Sequence, residues 1–188
     1  MLATETTLQQ AGHDRHEVNC DTPAVVRGRR VVEQVEFSGD KPAQIVAWMD
    51  RLAGAGDGWI NVVPKMNEDD ERPTSLGFFT LFGGGGLGVT MCTWIPAPGS
   101  ERDSMHTSLG ITHLTGQRAF ARLTSLGVPV PPTWVVEQDH PRRGLVIRVP
   151  AEEPHDEVLM WAMRATAALS APLRITGWRA DIYLPTPS

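Results

Sequence analysis

Residues 105–113, MHTSLGITH, are the stretch from which the fold of this chain is best inferred. Two kinds of side chain alternate along it, which predicts a β-strand with two different faces. One face is mainly apolar and carries Met105, Thr107, Leu109, Ile111 and His113. The other face is small and polar and carries His106, Ser108, Gly110 and Thr112.

The segments that follow this strand change period in a regular order. Residues 115–126 have helical spacing, 134–138 and 145–149 alternate, 155–169 predict the longest helix, and 178–184 alternate again. The element order is therefore βαββαβ. It predicts a ferredoxin-like C-terminal half, with both helices on one face of a mainly antiparallel sheet.

The turn between the two middle strands reads DHPRRG over residues 139–144. Pro and Gly suit a tight reversal, so this segment predicts a β-hairpin. Its tip carries Arg142 and Arg143, the most compact basic point of the chain. Exposed arginines on a rigid turn are either solvated or dock onto acidic groups of a partner, and both interpretations stay open.

The N-terminal half has its own alternation of periods. Residues 31–37 predict a strand, 41–54 a helix ended by glycine, and 59–63 a second strand. Apolar segments at 76–82 and 87–95, joined by four glycines, predict two further strands with a flexible hairpin. This half therefore has the order βαβββ, and the fold class that we predict is α+β.

The domain organisation follows from the polar N-terminus. Residues 1–26 lack a sustained period and are expected to form a flexible arm, or a strap that orders on a partner. Residues 27–188 are expected to form a single α+β domain, with halves over 27–98 and 103–188 as the alternative division.

Charge and composition argue against several classes of function. The formal charge is −5, which gives no basic field for binding a nucleic-acid backbone. The two cysteines, Cys20 and Cys92, provide neither a disulfide framework nor a zinc pattern, so we expect no metal and no cofactor. The N-terminus lacks the pattern of a signal peptide, and no apolar run reaches the roughly 18 residues of a membrane span. We expect a cytoplasmic protein with no membrane contact.

Tryptophan placement points to the core. The six tryptophans are dispersed along the predicted elements, which is typical of core positions and not of a stacking platform. Trp48, Trp161 and Leu169 lie on or beside apolar stripes of predicted helices. We expect these three side chains to pack against the sheet.

The strongest candidate for a ligand site is the small polar face of 105–113, with His106, Ser108 and Thr112. If the neighbouring strand turns Cys92 and Trp94 to the same side, the patch would combine an imidazole with a thiol and form a ligand floor. The alternative is that small residues here let a helix pack closely.

A second candidate lies at the end of the same strand. Thr115 is expected to cap the following helix, whose free N–H groups favour an anion, and His113 beside it could exchange a proton near pH 7. The alternative is that His113 bonds a loop carbonyl. His106 and His113 are seven residues apart and fall on opposite faces, so they cannot converge on one ligand.

Two functional hypotheses remain. The first is a non-catalytic binding or adaptor protein that acts through a protein partner or by self-association, because no catalytic set converges in the sequence. The second is an enzyme or binding domain for a small molecule or anion that uses His106 or His113. A deep cavity at either histidine would favour the second hypothesis, and a flat sheet covered by helices would favour the first.

Overall fold

The computed structural model describes residues 31–39, 42–66, 90–98, 106–113, 115–170 and 174–184. The predicted arm over 1–26, strand over 76–82 and glycine hairpin over 83–86 lie outside these residues.

The described elements follow the predicted order closely. In chain order they are β1 Val31–Phe37, α1 Ala43–Ala55, β2 Trp59–Met66, β3 Met91–Ile95, β4 His106–Thr112, α2 Ala119–Ser125, β5 Val135–His140, β6 Gly144–Pro150, α3 His155–Ser170 and β7 Ile175–Tyr183. Helix α1 ends where Gly56 adopts a left-handed conformation with φ of 64°, which confirms the predicted glycine stop.

All seven described strands belong to one sheet, in the order β1-β7-β2-β3-β4-β6-β5. Every neighbouring pair is antiparallel. The α+β class with an antiparallel sheet is therefore confirmed. The two halves interleave, because β7 lies between β1 and β2. Strands β2 and β3 in turn separate β7 from β4, whereas a ferredoxin-like unit would place its first and last strands side by side.

The three described helices form a single layer on one face of this sheet. Helix α3 lies in the middle, where it contacts α1 on one side, α2 on the other, and β2, β3 and β4 beneath. The core between the layers is made by alternate side chains of the strands. Trp48, Trp161 and Leu169 are 8%, 5% and 4% exposed, which confirms that these helical positions are buried.

The hairpin between β5 and β6 is present as predicted, and its geometry depends on one glycine. Gly144 has φ of +88°, and a Cβ built on it would collide with the carbonyl oxygen of Ile111 on β4. Only glycine combines this backbone conformation with such a close approach. Strand β5 begins at Val135 and not at the predicted Trp134, whose ring is buried beside Trp161.

Candidate functional site

Strand β4 separates the two sets of residues that the sequence assigned to its faces. Thr107, Leu109 and Ile111 are buried on the side of the helices. His106, Ser108 and Gly110 are partly exposed on the opposite side, and Thr112 is exposed. We call this opposite side of the sheet the open face, because the three described helices all lie on the other side. His106, Ser108 and Thr112 therefore do share a surface.

On the neighbouring strand β3, Cys92 lies on the opposite face from His106, so the two do not form a thiol–imidazole patch. Cys92 is paired with Ile111 and Trp94 with Leu109, so both point into the core. Burial raises the pKa of the Cys92 thiol to about 11, which keeps it protonated and unreactive near neutral pH. The hypothesis that Cys92 and Trp94 join His106 on one face is wrong, and Met91, Thr93 and Ile95 stand there instead.

His113 belongs to the interior. It is 1% exposed, and its Nδ1 lies 3.0 Å from the hydroxyl oxygen of Thr115. Its Nε2 has no hydrogen-bond partner among the described residues. Burial lowers the pKa of His113, and the negative charge of Asp139 opposes this shift in part. The imidazole is therefore held mainly in its neutral form near pH 7.

The start of α2 is not where the sequence placed it. The helix begins at Ala119 and not at Thr115, and Thr115 does not cap it. The Asp139 carboxylate on β5 accepts hydrogen bonds from the backbone N–H groups of Ala119 at 2.8 Å and Phe120 at 3.4 Å. These groups were the expected anion binders, and an anion of the chain itself already occupies them.

The centre of the open face is polar, which the sequence analysis missed. Gln34, Asp181, Asn61 and Thr93 are neighbours across four adjacent strands. Gln34 Nε2 donates to Asp181 Oδ1 at 2.9 Å, and Thr93 Oγ1 donates to Asn61 Oδ1 at 2.8 Å. Arg179 approaches the Asp181 carboxylate through Nε and Nη2, each at 3.1 Å. Asp181 is only 7% exposed, so this carboxylate is buried but paired.

A second row crosses the open face towards the end where β2 begins. It contains Tyr183, Trp59, Ile95, Ser108, Arg148 and Val135, in spatial order from β7 to β5. The Trp59 and Tyr183 rings stack with centroids 4.5 Å apart. Ile95 and Val135 are 44% and 48% exposed. We call these six residues the open-face row. In the sequence, the alternation of side chains along β2 and β7 is the signal that could have indicated part of this row.

The hairpin tip presents both of its arginines to solvent. The His140 Nδ1 accepts hydrogen bonds from the backbone N–H groups of Arg142 and Arg143, each at 3.1 Å. Gln138 Nε2 donates to the carbonyl oxygen of Arg143 at 3.3 Å. The turn is held from within, which makes the tip a rigid basic point at the β5 edge of the sheet.

One histidine that the sequence analysis did not single out has a carboxylate partner. His155 Nδ1 lies 2.7 Å from Asp50 Oδ1, and this pair joins the start of α3 to α1. The His155 and Trp94 rings pack edge to face, with their centroids 5.3 Å apart. Among the described residues no hydroxyl or thiol is hydrogen-bonded to His155, so the pair does not extend to a nucleophile.

Two cavities among the described residues lie away from the predicted ligand residues. One is an apolar void of about 10 Å³ in the core beside Cys92 and Trp94. The other is a groove of about 280 Å³ between α3 and the segment before β5. Its walls include Trp134, Glu153, Asp156, Glu157, Trp161 and Arg164, and we call it the acidic groove. Neither His106 nor His113 lines either cavity.

In the ranges that the structure covers, no three His, Cys, Asp or Glu side chains are grouped to hold a metal ion. No helix in those ranges is long and apolar enough to cross a membrane. Comparison with known proteins also leaves the family open: no family model, curated protein or solved structure matches the chain.

Proposed function

We propose that the chain is a non-catalytic binding protein that acts through a protein partner, and that the partner docks on the open face. The observation that carries the proposal is the open-face row. Exposed Ile95 and Val135 lie in line with a stacked Trp–Tyr pair and with Arg148. Aromatic residues and arginine are enriched where protein interfaces gain most of their binding free energy.

The distribution of polar groups on the open face also supports docking. The Asp181 carboxylate already has Gln34 and Arg179 as partners, so a partner that covers it leaves no unpaired buried charge. The Glu137–Arg148 pair, with 3.0 Å between the carboxylate oxygen and Nε, lies at the edge of the row. Self-paired polar groups beside exposed apolar groups match the pattern of an apolar interface core with a polar rim.

The enzyme hypothesis receives less support. His113 is buried with a lowered pKa, and the N–H groups beside it bind Asp139. His106 is partly exposed on the open face and lines neither of the two cavities. Small-molecule sites are usually concave and enclose most of their ligand. The preference for a protein partner follows from this contrast.

Two finer assignments belong to the same proposal. We propose that β4 to β7 form a ferredoxin-like unit into whose sheet strands β2 and β3 are inserted, because β4 and β5 flank β6 in a split strand–helix–strand arrangement. We also propose a cytoplasmic location, which fits a buried free cysteine.

Site-specific photo-crosslinking tests the docking face. A benzophenone side chain placed at Ile95 should capture the partner in extracts of the native cells. The same group at Gln44, exposed on α1, serves as the matched control. The captured protein is then purified and its affinity for the chain measured. Ile95→Arg and Val135→Arg should each weaken binding by about tenfold or more, whereas Gln44→Arg should not.

Two outcomes would contradict the proposal. Equal affinity of the purified partner for wild type and Ile95→Arg would remove the open face as the docking surface. Histidine ring signals of His106 or His113 that respond to phosphate, nucleotides or simple metabolites in an NMR titration would favour the enzyme hypothesis instead. Sedimentation velocity of wild type and Ile95→Arg identifies the case in which the partner is a second copy of the chain.

A further inference from the structure

Gly110 lies in the middle of β4 on the open face, and no described residue requires a glycine there. It pairs in regular register with Thr93 on β3 and Val146 on β6, and its φ is not positive. Among the described residues, a Cβ built on Gly110 would meet nothing nearer than the carbonyl oxygen of Thr93 at 4.0 Å. Glycine inside a strand costs stability relative to alanine, and it often marks a place that another molecule approaches closely.

The strands on either side of β3 differ in bulk on the open face. Strand β4 presents Ser108 and Gly110, whereas β2 presents Trp59 and Asn61 at the same two levels of the sheet. The open face is therefore low over β4 and raised over β2. Two such surfaces fit together when the raised strand of one lies over the low strand of the other, as side chains interdigitate between packed sheets.

Charge does not oppose the meeting of two open faces, although the whole chain has a formal charge of −5. Three carboxylates on this face are each paired with a cation of the same face. The pairs are Lys65–Glu36, Arg148–Glu137 and Arg179–Asp181. Together these six groups carry no net charge, so a second open face brings no excess of like charge against the first.

The open face is large enough for a stable dimer. Its seven strands, of five to nine residues, lie in one layer. With strands about 4.8 Å apart and a rise of about 3.3 Å per residue, the face measures about 29 Å by about 23 Å. This footprint of about 670 Å² is close to the roughly 800 Å² that each partner buries in a standard interface. Ile95 and Val135, both exposed, provide apolar surface within it.

We propose that the partner of the open face is a second copy of the chain, related to the first by a two-fold axis along β3. This inference rests on the docking function proposed for that face. Strand β3 is the middle strand of the seven, so such an axis exchanges β2 with β4 and β7 with β6. Ile95 then meets Ile95 of the second copy, and Trp59 lies over Ser108. Tyr183 lies over Arg148 of the second copy, whose guanidinium group can stack on an aromatic ring.

Filling the space above Gly110 tests the fit between the two copies. The axis brings Asn61 of the second copy over Gly110, so Gly110→Leu should raise the dimer dissociation constant by about tenfold or more. Sedimentation velocity over a dilution series measures it. Gly54→Leu is the matched control, since Gly54 is exposed on α1 and a Cβ there also meets nothing within 4 Å. Urea unfolding of dilute samples should show that Gly110→Leu is no less stable than wild type.

Crosslinking locates the axis without blocking the interface. Ile95→Cys, in a chain that also carries Cys20→Ser, leaves only the new thiol and the buried Cys92. A short bis-maleimide should join two such chains into a covalent dimer, because Ile95 lies on the axis. Val135→Cys in the same chain is the matched control. Val135 belongs to the same row but lies on β5, opposite β1 of the second copy, so it should not crosslink to itself.

Three results would overturn the inference: a wild-type chain that stays monomeric at every soluble concentration, a dimer that Gly110→Leu does not weaken, and a dimer that crosslinks better through Val135→Cys than through Ile95→Cys. The docking function fails separately. A monomeric wild type that binds a different protein, with affinity reduced by Ile95→Arg, would keep the open face as the docking surface and remove only the second copy. A dimer that neither Ile95→Arg nor Gly110→Leu weakens would place the contact elsewhere and remove both.

Discussion

The two faces of strand β4 show how differently one strand can be used. Leu109 and Ile111 on the helix side are each 1% exposed and belong to the core. Ser108 and its neighbours on the open face are small or polar and partly exposed, although they lie one residue away. The alternation of side chains is the same signal for both faces. What differs is the layer opposite: helices cover one face, whereas the other carries the charged and aromatic groups that we propose contact a partner.

This comparison separates stability from recognition within one sheet. Buried apolar side chains stabilise the fold because folding removes them from water, so truncating one of them should lower the free energy of unfolding. Exposed side chains on the open face bury little surface area on folding, and several of the polar ones pair with one another. Changes at exposed positions of this face, such as Ile95 and Val135, should leave stability almost intact while they alter binding, whereas the buried Asp181 is an exception.

The sharpest contrast is between adjacent residues of β4. Leu109→Ala should lower the free energy of unfolding by about 2–5 kcal/mol, because it leaves a cavity beneath α3. Ser108→Ala should change it by less than about 0.5 kcal/mol, as is usual for surface positions. Urea denaturation of both variants measures the difference. Equal losses would mean that the open face is packed as tightly as the core.

Asp139 tests whether a residue at the sheet edge stabilises the helix layer. Asp139→Ala should cost about 1–2 kcal/mol, since Ala119 and Phe120 lose the carboxylate that accepts their N–H groups. Glu137→Ala, two residues earlier on the same strand, removes only a half-exposed ion pair with Arg148 and should cost less than about 1 kcal/mol. Thermal or urea unfolding gives both values. A larger loss from Glu137→Ala would contradict the capping role.

The sequence predicts local features well. Alternation in β4 separates Leu109 and Ile111 from Ser108, and alternation in β7 places Trp178 and Ile182 on one face. Proline and glycine mark the hairpin that ends at Gly144. Helical spacing gives α1 and α3 to within about two residues. Each of these depends on residues close together in the chain.

What the sequence does not reveal depends on residues far apart. Whether Cys92 or Thr93 shares a face with Ser108 is decided by strand register, which a shift of one residue reverses. The cap of α2 comes from Asp139, 20 residues away, whereas local rules favoured Thr115. Asp181 meets Gln34, 147 positions earlier in the chain, only because β7 lies between β1 and β2. No local pattern contains this information.

The buried His113, on the covered side of the sheet, should make the free energy of unfolding depend on pH. Burial lowers its pKa in the folded chain below the ordinary value of 6.5. Between these two pKa values the unfolded chain binds more protons than the folded chain. Titration of His113 therefore does not reduce the free energy of unfolding above about pH 6.5, and reduces it as the pH drops below that value. His113→Gln removes this contribution.

Urea unfolding at about pH 7.5 and 5.5 measures the effect, and wild type should lose more stability on acidification than His113→Gln. Asp139→Asn should enlarge the loss, because the carboxylate raises the pKa of His113 and its neutralisation lowers that pKa further. An equal loss in wild type and His113→Gln would show that His113 is not the group responsible.

The smallest effect is expected from the ion pair at the other end of the open face. Lys65 Nζ lies 2.7 Å from Glu36 Oε2, with side chains 45% and 65% exposed. Water screens such a pair, so a double-mutant cycle with Lys65→Gln and Glu36→Gln should give a coupling free energy of about 0.2–1 kcal/mol. Because the charges are exposed, the coupling should fall towards zero at about 1 M salt. A coupling above this range that salt does not reduce would mean that the pair is covered, and the open face would then not be accessible at that end.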